Sequence, residues 1–132
     1  MRIYLIDDDD RLRAGLRDVL QRSGHEVRVA ENGLSAARML QEWPADLVIC
    51  DMLMPDAEGF EVLREVRGSI GKGTKFIMIS GASGELSEFL ARAPMLGADA
   101  VLQKPFAPSE LLSLIESIFS NKNRSETCVV GA

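Results

Sequence analysis

Residues Leu47-Val48-Ile49-Cys50-Asp51 form an unbroken apolar run that ends on a carboxylate. A strand without polar alternation is buried on both faces, which is the situation of a strand inside a parallel sheet. Two more runs have the same character, Ile3-Tyr4-Leu5-Ile6 and Phe76-Ile77-Met78-Ile79. Two shorter ones, Val27-Arg28-Val29 and Ala100-Val101-Leu102, complete a set of five strand-like segments.

Between these runs the apolar period changes from that of a strand to that of a helix. In 11–23, Leu12, Leu16, Val19 and Leu20 share one face, and Gly24 stops the helix. In 34–42, Leu34, Ala37 and Leu40 make a stripe that Trp43-Pro44 ends. Residues 58–70 place Phe60, Leu63, Val66 and Ile70 inward, and 85–96 are helical with a kink or early end at Pro94. A last helix turns Leu111, Leu112, Ile115, Ile118 and Phe119 inward, with Ser109 available as its cap. Five strands, each followed by a helix, predict an α/β fold: a doubly wound five-stranded parallel sheet flanked by five helices. One domain is expected over residues 1–120. Residues 121–132 read as a polar tail, expected to be disordered.

Composition narrows the function classes. The 132 residues are 46% hydrophobic and 27% charged, enough for one core. The net charge of −5 disfavours direct nucleic-acid binding, which relies on basic side chains against phosphates. No apolar run approaches the roughly 20 residues that span a bilayer. The first strand runs straight into Asp7-Asp8-Asp9-Asp10, unlike a secretory signal. Two cysteines, Cys50 and Cys128, make no disulfide framework, and a single histidine, His25, argues against a zinc site. The expected location is the cytoplasm.

Ligands of doubly wound sheets bind beyond the carboxyl ends of the strands. Those ends carry Asp7 and Asp8, Asp51, Ser80 and Lys104. Clustered carboxylates suit a hard, oxygen-loving cation such as Mg²⁺. A carboxylate can also attack a phosphoryl group and hold it as an aspartyl-phosphate. The equatorial oxygens of that group need cations and donors, which Lys104 and the Ser80 hydroxyl can supply. Lys104 is one of only four lysines, and its place at a strand end before Pro105 favours a role in this site. Asp9 and Asp10 fit better as a helix N-terminus, with Asp10 a candidate cap. Arg11, Arg13 and Arg17 read equally well as a partner face or a solvated helix face. His25 reads as a solvated turn residue, and Trp43 as a cover for the sheet edge.

The sequence resembles the receiver domain of two-component response regulators. The resemblance rests on Ile3-Tyr4-Leu5-Ile6-Asp7-Asp8-Asp9, Leu47 through Asp51 with Met52-Leu53-Met54-Pro55-Asp56, Ile77-Met78-Ile79-Ser80-Gly81, Leu96-Gly97-Ala98-Asp99 and Lys104-Pro105-Phe106. It covers residues 2 to 120. It implies a flavodoxin-like strand order of 2-1-3-4-5. It implies Asp51 as phosphoacceptor, with Asp7, Asp8, Asp51 and the backbone carbonyl of Leu53 as Mg²⁺ ligands. Ser80 matches the hydroxyl residue that turns toward the phosphoryl group, Lys104 the lysine that pairs with it, and Pro105 the proline after a cis bond. The implied donor is a phosphohistidine on a histidine kinase or histidine phosphotransfer protein.

The sequence departs from the family at Val101, where the family usually carries Tyr or Phe as half of its switch. No output domain is expected after residue 120. The expectation is therefore a stand-alone regulator, not a turnover enzyme, that signals through phosphorylation-dependent protein contacts or a phosphorelay. Its expected state is a monomer or a phosphorylation-dependent dimer. A pseudo-receiver that binds a protein without phosphate is the alternative, supported by Val101. A phosphohydrolase is a third reading, opposed by the lack of residues for a substrate cap.

Overall fold

The computed structural model describes residues 1–31, 36–51, 64, 73–80, 98–120 and 128–130, with the backbone alone at 36, 37, 80 and 128–130. The described strands are β1 (Arg2–Ile6), β2 (Glu26–Ala30), β3 (Leu47–Asp51), β4 (Lys75–Ser80), β5 (Ala100–Gln103) and β6 (Cys128–Val130). The described helices are α1 (Asp10–Arg22), α2 (Ala36–Glu42) and α3 (Pro108–Ser120). The expected helices at 58–70 and 85–96 fall outside the described residues, apart from helical Arg64.

All strand pairings are parallel, in the order β2-β1-β3-β4-β5-β6. The expected order 2-1-3-4-5 is present, with a sixth strand added outside β5. The expectation of a disordered tail is thus corrected at 128–130. There the polar composition gives way to Cys128-Val129-Val130, a short triplet with two β-branched residues that favour a pleated edge.

Each central strand divides its apolar side chains between two cores, as the period of two requires. Ile3, Leu5, Leu47, Ile49, Ile77, Ile79, Ala100 and Leu102 face α1 and α3. Tyr4, Ile6, Val48, Cys50, Phe76, Met78 and Val101 lie on the other face, with Leu40 of α2 and Trp43. This two-sided burial is why the runs show no polar alternation.

The N-terminal ends of the strands are laced together by two aspartates. Asp46 accepts from the Arg2 backbone N–H at 2.8 Å, and its carbonyl accepts from Lys75 N–H at 2.9 Å. Asp99 accepts from Phe76 N–H at 2.8 Å through its carboxylate. Trp43 packs obliquely on Tyr4 with ring centroids 6.4 Å apart. The guanidinium carbon of Arg28, on edge strand β2, lies 4.7 Å from its ring centre, and that of Arg2 lies at 5.6 Å. Trp43 therefore does meet the sheet edge, but as a core residue only 8% exposed.

Two cap assignments change. Asp9, not Asp10, caps α1: its carboxylate accepts from the N–H groups of Arg11 and Leu12 at 3.0 and 3.1 Å. Asp10 is the first helical residue and pairs with Arg13. Helix α3 opens at Pro108, ahead of Ser109, because proline has no N–H to leave unsatisfied in a first turn. Gly24 has φ of 93°, the left-handed conformation that glycine supplies after a helix. His25 is half-buried rather than solvated, with its Nδ1 3.2 Å from the Met1 amino group.

Candidate functional site

The chain leaves β1 in one direction and returns on its other side as β3, so the crevice between their carboxyl ends is the topological switch point. Asp7 follows β1 and Asp51 ends β3, and both enter this crevice buried, at 0% and 2% exposure. Asp8 is exposed at its mouth. Carboxylate oxygens of Asp7, Asp8 and Asp51 lie within 4.8 Å of one another.

Lys104, just past β5, closes the site from the other side. Its Nζ donates to Asp51 Oδ2 at 3.0 Å and lies 3.9 Å from Asp7 Oδ2. The Lys104–Pro105 peptide is cis, as the resemblance implied. Ser80 ends β4 in register with Gln103, the neighbour of Lys104. Its backbone thus stands at the same sheet edge, while its side chain lies outside the described residues, as does Leu53.

Asp7 is held from several directions. Its Oδ1 accepts from Asp9 N–H at 2.9 Å, and its own N–H donates to the Ala30 carbonyl at 3.1 Å. Its carbonyl accepts from Arg13 Nη1 at 2.7 Å. Arg13 is therefore a positioning residue rather than part of a free basic face. Sequence reasoning missed it because i and i+6 contacts between a loop carbonyl and a helix leave no periodic signal. Arg11 and Arg17 are exposed.

The electrostatics of the pocket are unbalanced. Asp7 Oδ2 is buried and has no hydrogen-bond partner among the described residues. Burial above all, with the charges of Asp51 and Asp8 beside it, pushes the Asp7 carboxyl up from 3.8 to about 6. The Asp9 N–H and the Lys104 ammonium act in the opposite sense. A buried carboxylate oxygen with no donor, inside a three-carboxylate cluster, is the donor set a hard divalent cation requires. The residues fit such an ion, and Lys104 supplies one positive charge against three carboxylates.

Comparison with known proteins agrees with this geometry. Residues 3–116 match the model of the response regulator receiver domain. The transcriptional regulatory protein GltR of Pseudomonas aeruginosa is 36% identical over 117 residues, covering 88% of this chain and 48% of that protein. The transcriptional regulatory protein CpxR of Klebsiella pneumoniae is 35% identical, covering 95% of this chain and 52% of that protein. The chain thus spans about half the length of these curated relatives. Among solved structures, the chemotaxis response regulator CheY4 of Vibrio cholerae superposes with a TM-score of 0.79 at 30% identity, covering 89% of this chain and 97% of that one. A receiver domain protein from Clostridium thermocellum gives 0.80 at 29% identity, covering 92% and 95%. A buried acidic crevice at the switch point, faced by a strand-end lysine, belongs with these relatives: the chain is a member of the response regulator receiver domain family of two-component systems.

Proposed function

We propose that this receiver domain takes a phosphoryl group onto Asp51 from a phosphohistidine on a partner kinase or phosphotransfer protein. The observation that carries this reading is the Lys104 ammonium 3.0 Å from Asp51 Oδ2, beside the buried Asp7 Oδ2 that accepts no hydrogen bond among the described residues. In the step proposed, an Asp51 carboxylate oxygen attacks phosphorus in line with the leaving imidazole nitrogen. The P–O bond forms as the P–N bond breaks, and the imidazole leaves with the bonding pair and takes a proton.

Asp7, Asp8 and Asp51 would hold Mg²⁺, with the Leu53 carbonyl as a further ligand. When bound, the ion spreads the charge of the phosphoryl oxygens and relieves the repulsion among the carboxylates. Lys104 keeps Asp51 oriented before transfer and pairs with a phosphoryl oxygen after it. Ser80 donates its hydroxyl to another of those oxygens and, with β5, carries the change outward. Asp7, buried and anchored through Asp9 and Arg13, serves to position the cation. The domain is an acceptor with slow self-hydrolysis rather than an enzyme with turnover. It works in the cytoplasm through protein contacts or onward phosphotransfer and makes no nucleic-acid contact through its own acidic surface.

The test is intact-protein mass after incubation with acetyl phosphate and Mg²⁺. One added phosphoryl group, absent in Asp51→Asn and without metal, is the expected result. Failure with both acetyl phosphate and a phosphorylated histidine protein would leave a phosphate-independent binding module as the reading.

A further inference from the structure

Helices α1 and α3 pack on the same face of the sheet, since both contribute to the core around Leu5, Ile49 and Ile77. The connection β1-α1-β2 moves one way across the sheet, and β5-α3-β6 moves the other way. Two parallel crossovers over one face, running in opposite directions, have opposite hands. Right-handed crossovers are the rule in about 98% of cases. With β1-α1-β2 obeying that rule, β5-α3-β6 is left-handed. Among the described residues, three pairs form its ladder: Ala100 with Cys128, Val101 with Val129 and Leu102 with Val130. The outer edge of β5 is thus a good strand acceptor, filled through a poor connection.

We propose that this edge is an exchange site between two copies of the chain, each giving its 128–130 segment to β5 of the other. The segment fits the acceptor by construction, because the cis pairing already shows the register. When the strand arrives from a second copy, the ladder stays the same and the left-handed crossover disappears. The seven residues from 121 to 127 join α3 to β6. Fully extended they span at most roughly 25 Å, which sets the reach of the exchanged strand. Reciprocal exchange closes as a two-fold dimer and leaves neither β5 edge open. The exchange does not depend on phosphoryl chemistry, so it stands or falls apart from the function proposed above.

The experiment is sedimentation of the full chain over a wide range of concentration, beside Val129→Pro and Val129→Thr. Proline lacks the N–H and the geometry of a paired strand, whereas threonine keeps the β-branch. Hydrogen exchange is read along β5, where alternate amides face β4 and β6 and only those facing β6 are expected to respond. The wild type and Val129→Thr should rise from the mass of one copy toward two, while Val129→Pro stays at one. The β5 edge amides should exchange about tenfold faster in Val129→Pro, with the amides of β1 and β3 unchanged as proof of fold. A wild type that keeps the mass of one copy throughout overturns the proposal. So does a Val129→Pro protein that associates like the wild type.

Discussion

The buried Asp7 makes a quantitative prediction for the metal-free protein. Its carboxyl titrates at about 6 in the fold against 3.8 for the ordinary group. The folded protein therefore binds this proton more tightly than the unfolded chain does. Between those two values the native state holds more protons, so stability falls as pH rises through the interval. At ~1.4 kcal/mol per pKa unit, ionised Asp7 costs the fold on the order of 3 kcal/mol at neutral pH. His25 contributes with the opposite sign, because burial, reinforced by the Met1 amino group, lowers its pKa and disfavours its charged form. The contributions of other groups cancel when one variant is subtracted from another. The assay is urea unfolding with a chelator across this interval, for wild type and Asp7→Asn. The wild-type stability minus that of Asp7→Asn should rise by roughly 3 kcal/mol as pH falls from above the folded value to below the unfolded one. Asparagine's own packing shifts both ends of that difference equally and does not affect its slope. A flat difference, or one that grows toward high pH, would refute the claim that the site is strained by its own charge. Adding Mg²⁺ at neutral pH should stabilise the wild type more than the variant, since a ligand of the native state alone shifts the balance by mass action.

Replacing Lys104 by Met removes the ammonium from Asp51 and Asp7. The metal-free fold should lose about 1–3 kcal/mol, and phosphoryl uptake from acetyl phosphate should slow on the order of a hundredfold. Urea unfolding and time-resolved intact mass check the two effects separately. Asp9→Ala deletes the cap of α1 and should cost ~1 kcal/mol in thermal or urea unfolding, while leaving Asp51 able to take a phosphoryl group. Arg28→Ala removes the nearer of the two cations over Trp43 and should cost roughly 0.5–1 kcal/mol. Because the chain has a single tryptophan, its fluorescence reports this contact directly.

The parts legible in the sequence share one physical origin. Strands β1, β3 and β4 are covered on both faces, so their composition records the parallel sheet without any knowledge of the helices. Their carboxyl ends, like that of β5, are where polar residues interrupt the apolar runs, so Asp7, Asp51 and Lys104 stood out before any geometry was known. The structure brings these three together across β1, β3 and the end of β5. Features that were not legible depend on contacts with no period. Arg13 reaches the Asp7 carbonyl across a helix start, and the cap falls on Asp9 rather than on its equally acidic neighbour. In a run of four aspartates only the turn geometry decides which one caps. Strand β6 was hidden for another reason, because a triplet in a polar segment is too short to show alternation. Val101 joins the two cases. As a sequence departure it questioned the switch, and in the fold it is a fully buried core residue between Met78 of β4 and Val129 of β6 in the sheet register. A buried valine cannot rotate between two environments as an exposed aromatic can.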